Sequence, residues 1–440
     1  MLQDFASIAL LLLITLTAYF QWRKVRLPLP PGPKGYPIIG NLFDIPPKQR
    51  WVKFLGWSME YNSEIIHLRV LGRSIMVLNS FRAANDLLSV RSMLYSDRPP
   101  HIMANELLGW ASLFSDVMPE YDSNIERARK ALATLSDAAI SGLFLVDILP
   151  FMRHVPSWMP GAGFKRFAER SRPDTMDMMN APFIEGCNRI HEGKSEPSLL
   201  SRRLAKGGYG IEDHPDKQLV RDVAAVAYVG GAETTKAALS NFIAAMLLYP
   251  EVQKKAQQEV DSFTHSTLPS FEDLPNMPYV QAVMLEVLRW QSVLPLGIAH
   301  RLIMDDEYKG YYLPKGSIIF VNIWALLRDE EYYADPDTFR PERFLKDGTI
   351  DPKLAEPIPN FGFGRRICPG RFFAMDSLWL NIASILTVFD ITKAKDEEGR
   401  DIEPDIEWTP NFTRHLIPFK CSITPRSSER EKLIRESEPM

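Results

Sequence analysis

The chain has 440 residues, of which 45% are apolar and 24% are charged, and its formal net charge is −4. These values are typical of a globular protein and exclude a disordered, collagen-like or coiled-coil chain. The near-neutral charge argues against a nucleic-acid-binding protein, which carries a basic excess. Only three cysteines are present, Cys187, Cys368 and Cys421. They are too few and too widely spaced for a disulfide framework, so we expect a chain that faces a reducing compartment.

The N-terminus begins with an apolar segment, residues 5–22, that contains no charged side chain. As a helix this segment would be about 27 Å long, which is just enough to cross a bilayer core. Arg23 and Lys24 follow it at once, whereas only Asp4 precedes it. The positive-inside rule therefore predicts a membrane anchor over residues 1–26, with the rest of the chain in the cytosol. A cleaved signal peptide and a buried helix are the alternatives.

A proline-rich segment, residues 27–41, comes next. Proline fixes φ and lacks an N–H donor, so this segment cannot form a helix or an inner strand. We expect a stiff, extended hinge between the anchor and the globular part. No domain-sized linker follows, which predicts one large domain over residues 42–426. The charged residues 427–440 are expected to form a disordered tail.

The pattern of apolar residues predicts a mainly α-helical domain with a minor β part. The predicted elements, in chain order, are a hairpin over 64–78, a helix over 81–90, a loop over 158–163, a long apolar helix over 218–249, amphipathic helices over 251–263 and 277–293, a strand over 317–321 and a fully buried helix over 372–389.

The long helix contains the sequence Gly230-Gly231-Ala232-Glu233-Thr234. Two glycines weaken a helix in mid-course and leave space beside it. An acid followed by a hydroxyl group can carry protons into such a space, which makes Glu233 and Thr234 candidate catalytic residues. The alternative is an acid and a threonine on a solvated face, which the apolar neighbours Val226 and Val229 disfavour.

The strongest motif is Phe361-Gly362-Phe363-Gly364-Arg365-Arg366-Ile367-Cys368-Pro369-Gly370. Its glycines allow the backbone to approach a large flat group. Proline is common at the first position of a helix, which places Cys368 at a helix N-terminus that favours a thiolate. A thiolate against a flat group fits axial ligation of haem iron, and Arg366 is a candidate partner for a haem propionate. The alternative is an inert buried cysteine.

This motif resembles the cysteine-ligand loop of the cytochrome P450 family, Phe-x-x-Gly-x-Arg-x-Cys-x-Gly. The resemblance implies the P450 fold, a helical bundle with small sheets, and haem b bound through Cys368, with Phe361 and Gly370 as fixed positions of the loop. It also implies that Glu233 and Thr234 relay protons to dioxygen held above the iron. Arg301, at the start of a strand, is implied as a second propionate partner, although an arginine there is commonly only solvated.

The resemblance gives a structural role to three charged residues. Glu286 and Arg289 lie three residues apart and share a helix face, and Arg343 follows in Phe339-Arg340-Pro341-Glu342-Arg343-Phe344. In the P450 family, residues at these positions form a buried charge network behind the haem loop. On their own, a glutamate and an arginine at this spacing are a weak signal, because exposed pairs are common.

One block of the family pattern is missing. P450 enzymes have a helix with Trp-x-x-x-Arg on the haem after the region that resembles residues 105–110. Here residues 116–119 pass directly to 120–123, and the next resembling segment, 125–135, belongs several helices later in the family. The resemblance thus predicts an internal deletion near residues 118–121, of the kind that a missing exon or a defective gene model produces.

The resemblance, together with the predicted anchor, therefore implies a membrane-anchored haem-thiolate monooxygenase that acts on a hydrophobic aromatic, polyketide- or terpene-type metabolite, most like fungal P450 enzymes. The implied partners are NADPH–cytochrome P450 reductase and cytochrome b5, and the implied location is the endoplasmic reticulum membrane with the domain in the cytosol. Two alternatives remain. The deletion could leave a haem-deficient, inactive chain, or the protein could be a haem-thiolate isomerase or peroxygenase, which the Glu233–Thr234 pair disfavours.

Overall fold

The structure is a computed structural model that describes residues 27–100, 102–108, 127, 130–131, 145–195, 197–204, 211, 213–264, 267–355 and 358–436. Within these ranges no helix combines the length and the apolar character needed to span a bilayer. The predicted anchor (1–26) and the predicted deletion point (118–121) lie outside the described residues.

The described residues are mainly helical. The α-helices are α1 (Arg50–Glu60), α2 (Phe81–Ala84), α3 (Ser92–Tyr95), α4 (Leu145–Ile148), α5 (Gly163–His191), α6 (Leu199–Leu204), α7 (Lys217–Leu248), α8 (Pro250–Phe263), α9 (Pro278–Trp290), α10 (Ile323–Leu326), α11 (Pro352–Ala355), α12 (Arg371–Val388) and α13 (Ser428–Glu436). Two π-helical turns (Asn85–Val90, Ile102–Leu107) and five 3₁₀ turns (Pro150–His154, Leu274–Asn276, Pro341–Phe344, Pro359–Phe361, Gly364–Arg366) connect them.

The β part consists of small sheets. The strands are β1 (Ile65–Val70), β2 (Arg73–Leu78), β3 (His300–Arg301), β4 (Asp306–Tyr308), β5 (Tyr311–Leu313), β6 (Ile318–Val321), β7 (Leu345–Lys346), β8 (Thr349–Ile350), β9 (Phe389–Lys393) and β10 (Cys421–Pro425). One four-stranded sheet has the order β1-β2-β6-β3, and three strand pairs are separate. In the large sheet β2 and β6 are parallel and the other neighbours are antiparallel.

The predicted hairpin over 64–78 is confirmed as β1 and β2. Val70 pairs with Arg73, so the turn consists of Leu71 and Gly72, both with positive φ (46° and 85°). Two consecutive positive φ angles match the twist of a tight hairpin, and glycine is the residue that adopts this conformation without steric cost. The predicted strand over 317–321 is likewise confirmed as β6.

The main core lies where α7, α8, α9 and α12 pack together. The predicted long helix and the helix after it are confirmed as α7 and α8, and Pro250 begins the second. Helix α9 differs from its predicted amphipathic character, because every residue from Ala282 to Trp290 is buried, Glu286 and Arg289 included. Its charged residues pair inside the protein, so no face needs to reach water.

Two other predictions change. Helix α12 is not buried along its whole length, since Phe372 and Phe373 in its first turn are 62% and 75% exposed. Residues 428–436 form helix α13 instead of a disordered tail, because Arg430 pairs with Asp261 of helix α8. A sequence of mixed charges looks solvated, and only the fold provides the acid that fixes this end of the chain.

The proline-rich segment is extended, as predicted, but it packs on the sheet from its first residues. The Pro28 carbonyl accepts a hydrogen bond from the Tyr312 N–H (2.8 Å), and the Pro31 carbonyl accepts one from His67 (2.9 Å). A Cβ at Gly32 would lie 2.0 Å from the His67 carbonyl oxygen. The segment is therefore part of the globular body and not a free hinge.

Candidate functional site

The loop that carries Cys368 is closed by its own backbone and fixed against the N-terminal half of the chain. The Cys368 N–H donates to the Phe361 carbonyl (2.7 Å), so the two ends of the motif meet. Between them Gly364 has φ +57°, and a Cβ there would lie 1.9 Å from the Leu88 carbonyl oxygen. Phe363 is buried and packs edge-on against Phe81 (5.8 Å between ring centroids). The fold therefore holds the thiol of Cys368 half-buried on a rigid loop.

The start of the following helix differs from the prediction. Helix α12 begins at Arg371 with Gly370 as its N-cap, so Pro369 precedes the helix and does not occupy its first position. Cys368 accordingly lies two residues before the N-cap. A Cβ placed on Gly370 would lie 4.0 Å from the Cys368 sulfur, at ordinary van der Waals distance.

Basic side chains from three segments gather beside this loop. The Arg366 Nε donates to the Ser96 carbonyl (2.8 Å), and Arg98 Nη1 donates to the carbonyls of Ile298 (2.7 Å) and Ala299 (2.8 Å). Burial, together with the nearby Arg366 cation, lowers the pKa of Arg98 to about 10. Within the part of the chain that the structure describes, no carboxylate pairs with Arg98. This group of cations is suited to binding an anion.

His300 belongs to the same group. Its Nδ1 lies 2.7 Å from the Tyr95 carbonyl oxygen. Burial, with the Arg98 and Arg366 cations, lowers the pKa of His300 to about 4, and the hydrogen bond to Tyr95 opposes that shift. Histidine is therefore neutral here near pH 7, and the net positive charge of the group comes from the arginines.

Arg301, the other predicted propionate partner, is already paired. Its guanidinium lies 2.5 Å from the Asp97 carboxylate, and its N–H donates to the Asp97 carbonyl (2.8 Å). Arg98 is the basic residue that sequence reasoning missed. Nothing in the linear sequence links it to the cysteine motif, because the contact arises only when residues 95–98 lie along β3.

The predicted charge network is assembled in the core. Glu286 is fully buried and binds Arg289 through both carboxylate oxygens, at 2.7 and 2.9 Å. Arg343 reaches the same carboxylate at 3.1 Å, and the Arg340 N–H donates to it at 2.7 Å. Burial lowers the pKa of Arg343, and the neighbouring Glu286 charge opposes this shift.

The network is connected to the cysteine loop through one side chain. Asn360, directly before Phe361, donates from Nδ2 to the Leu288 carbonyl (2.5 Å). Leu288 precedes Arg289 on helix α9, so the helix that holds the charge network also fixes the entry of the loop. A disturbance of the Glu286 pair would therefore be transmitted to the position of Cys368.

The second candidate site lies in helix α7, which runs through Gly230 and Gly231 without interruption. A Cβ on Gly231 would meet no atom within 4 Å, so open space lies beside the helix, as predicted. The Thr234 hydroxyl donates back to the Gly230 carbonyl. Glu233 is largely buried, with Lys236 Nζ and His415 Nδ1 each 3.9 Å from its carboxylate. His415 had no predicted role.

The described residues fit haem in two respects. A half-exposed, free thiol stands on a rigid loop, which is the donor that haem-thiolate iron requires. The cations Arg98 and Arg366 lie beside the loop, where the propionates of a porphyrin would balance their charge. No group of three or more His, Cys, Asp or Glu side chains that could hold a separate metal ion occurs among the described residues.

Comparison with known proteins gives a consistent result. A model of the cytochrome P450 family matches residues 111–417. The chain is 39% identical to cytochrome P450 monooxygenase 98 of Postia placenta, with 94% of each chain aligned. It is 37% identical to a cytochrome P450 monooxygenase of Armillaria gallica, with 98% of each chain aligned. It is also 35% identical to tryptamine 4-monooxygenase of Psilocybe cyanescens, over 93% of this chain and 96% of that protein.

These alignments are longer than the chain. The alignment with the Postia placenta protein extends over 486 positions, whereas this chain has 440 residues, so at least 46 positions are gaps in this chain. Relatives of the chain therefore contain residues that it lacks within the aligned region.

Proposed function

Because the chain belongs to the cytochrome P450 family, we propose that it is a haem-thiolate monooxygenase that inserts one oxygen atom of O2 into a hydrophobic small molecule. The observation that carries the proposal is the rigid loop that presents the half-exposed Cys368 thiol, together with Arg366 of the same loop and the nearby Arg98, which has no carboxylate partner among the described residues. Bound haem b supplies the iron chemistry that activates dioxygen, and the protein supplies binding, orientation and protons.

Cys368 is the proposed axial ligand of the haem iron. Arg366 and Arg98 would bind the propionates, whereas Arg301 supports this site indirectly by holding Asp97 and the adjacent backbone. Phe361 and Gly370 act through the backbone, the first by accepting the Cys368 N–H bond and the second as the N-cap of helix α12 directly after the loop. Glu286, Arg289 and Arg343 have the structural role of fixing the base of the loop.

Glu233 and Thr234 are the proposed proton carriers. The Thr234 hydroxyl uses its hydrogen for the Gly230 carbonyl, so its oxygen lone pairs are free to accept a hydrogen bond from the side of the open space. Glu233 sits next to it, largely buried, and can take a proton from the solvent side and give it to the site. This arrangement favours a monooxygenase over an isomerase or a peroxygenase, which need no such relay.

The proposed substrates are aromatic, polyketide- or terpene-type metabolites. Support comes from the similarity to fungal monooxygenases, one of which is named for its action on tryptamine. The proposed electron donor is NADPH, through NADPH–cytochrome P450 reductase, with cytochrome b5 as a second partner. The uncharged segment 5–22 followed by basic residues supports a single-pass anchor in the endoplasmic reticulum membrane, with the catalytic domain in the cytosol.

The proton relay can be tested by comparing Glu233→Gln, Thr234→Ala and the neighbouring control Thr235→Ala. Product formed per NADPH consumed is measured with reductase, oxygen and a panel of indoles and terpenes. Loss of a positioned proton donor costs about 10²-fold or more in such steps. The first two variants should therefore form little product while NADPH is still consumed and hydrogen peroxide accumulates. Equal product per NADPH in all three variants would contradict the assignment.

The gaps in the alignments favour a second candidate function, that of an inactive chain of the same family that does not retain haem. We propose that the gap lies near residues 118–121 and removes the helix with Trp-x-x-x-Arg, which supplies propionate contacts in P450 enzymes. Insertion of the corresponding segment from the Postia placenta relative is the test. Haem binding only after the insertion would support this candidate, and haem binding without it would exclude it.

A further inference from the structure

The loop of residues 408–416 presents a histidine to the proposed proton carrier on helix α7. His415 Nδ1 lies 3.9 Å from Glu233 Oε2, within ion-pair distance. We propose that His415 is a positioning residue for Glu233 that holds the carboxylate in place for proton supply. This inference rests on the proposed function, since it assigns a partner to the acid of the relay.

His415 is held in place by the backbone of its own loop. The Thr409 N–H donates to the His415 carbonyl (2.8 Å), and the His415 N–H donates to Thr409 Oγ1 (2.9 Å). One residue outside this pair, Trp408 and Leu416 form an antiparallel bridge. The imidazole therefore projects from a closed hairpin and not from a free loop.

The hairpin is in turn attached to the helix that carries Glu233. Trp408 Nε1 donates to Asn241 Oδ1 (2.8 Å), and Asn241 is a buried residue of helix α7 two turns beyond Glu233. On the other side, Arg414 Nη1 donates to Gln291 Oε1 (2.6 Å) and the Arg414 N–H donates to the Val293 carbonyl (2.8 Å). The two attachments fix the distance between the imidazole and the carboxylate.

The charges around the pair determine how it works. Among the described residues, Lys236 is the cation paired with Glu233. Arg414 of the hairpin donates to Gln291 and lies over the Trp324 ring. Burial lowers the pKa of His415, the Glu233 carboxylate raises it and Lys236 lowers it. Near pH 7 the imidazole is therefore neutral. At 3.9 Å it lies beyond direct hydrogen-bond distance, so in the tautomer with the proton on Nδ1 it orients the carboxylate through the dipole of that N–H and not through a permanent ion pair. At lower pH the imidazolium would bind the carboxylate and hinder proton release.

The contact can be measured without any enzymatic activity. The full chain is labelled with ¹³C on its histidines, and the resonance of His415 is assigned with the His415→Asn variant. Glu233→Gln should shift the pKa of His415 downward, and Lys236→Met should shift it upward, each by about 0.5 or more. An unchanged pKa of His415 in both variants would overturn the proposal, whether or not the chain binds haem.

The functional effect is tested with His415→Leu and His415→Asn, because asparagine keeps an N–H donor close to the position of Nδ1. Product per NADPH should fall several-fold in the leucine variant and recover in the asparagine variant. In the leucine variant, product per NADPH should also no longer decline as the pH is lowered. Turnover driven by added hydrogen peroxide, which brings its own protons, should not change. His154→Leu, at an exposed position, is the control.

Two results would contradict the role of His415. Equal losses in the leucine and asparagine variants would show that the residue only supports the fold, and no loss in either would show that it is dispensable. A thiolate-type haem spectrum in each variant is required for this comparison. Its absence from the unchanged chain would contradict the proposed function instead.

Discussion

The Glu286 carboxylate is shared by two guanidinium groups inside the core. Arg289 and Arg343 both contact it, and their remaining donors are taken by backbone carbonyls, among them those of Leu327 and Ala334. A buried arrangement of this kind is stable only while every charge has a partner. The network therefore fixes the segment between helix α9 and the Pro341–Phe344 turn more firmly than a surface ion pair could.

Replacement of Glu286 by Gln should strand both arginine cations in the core. The expected loss in the free energy of unfolding is about 3–5 kcal/mol, measured by urea unfolding. Glu403→Gln is the matched control, since Glu403 pairs with Lys393 at the surface and its loss should cost only about 0–1 kcal/mol. Haem retention should fall together with stability in the first variant only. A loss as small as that of the control would show that the network does not stabilise the fold.

The spacing of residues along the chain predicts some contacts of this site but not all of them. Glu286 and Arg289 are one helical turn apart, so their pairing could be predicted from the sequence, and the resemblance added Arg343. The electrostatic interaction between Arg98 and Arg366 of the cysteine loop joins two residues that are 268 positions apart in the sequence. The Glu233–His415 contact likewise depends on where a distant hairpin packs. Pairings of this kind leave no periodic signal, because tertiary packing alone creates them.

At the scale of elements, the cysteine loop depends on its close approach to the Asn85–Val90 turn. Gly364→Ala would place a Cβ 1.9 Å from the Leu88 carbonyl oxygen, a backbone atom that cannot rotate away, and would add the strain of a positive φ. The loop would have to move, and the thiol of Cys368 would move with it. We expect a large loss of bound haem, measured as haem per protein after purification.

Gly399→Ala is the control for this prediction. Gly399 also has a positive φ (+79°), but a Cβ there would meet no atom within 4 Å. The control should cost only the conformational strain, about 1–2 kcal/mol, and should keep its haem. Equal haem loss in both variants would show that strain, and not the close approach, explains the result.

Helices and strands could be predicted from the sequence where the pattern of apolar residues was strong. The hairpin β1–β2 and helices α7 and α8 follow from periodicity and from the breaks at Gly72 and Pro250. Burial was less predictable, because it depends on neighbours. The first turn of α12 exposes two phenylalanines, and α13 is a helix because Asp261 lies beside it. The composition of these two segments predicts neither the exposure of the phenylalanines nor the neighbouring Asp261.

For the whole molecule, the length of the chain is the central observation. At least 46 positions of the alignment with a 39%-identical relative are absent here, yet the alignment covers 94% of each chain and the cysteine motif is present. The helices that fix Cys368, α9 and α12, are complete in the structure, and so is the charge network. We therefore expect the thiolate half of the haem site to be preserved, with Arg98 and Arg366 left to bind the propionates.

The most direct test is the carbon-monoxide difference spectrum of the reduced, purified chain, compared with that of Cys368→Ala. We predict a Soret band at the position typical of thiolate ligation in the unchanged chain and its loss in the variant, while circular dichroism shows the same helix content in both. A chain that folds but gives no thiolate-type band, or a band that survives in Cys368→Ala, would contradict the assignment of Cys368 as the haem ligand of this protein.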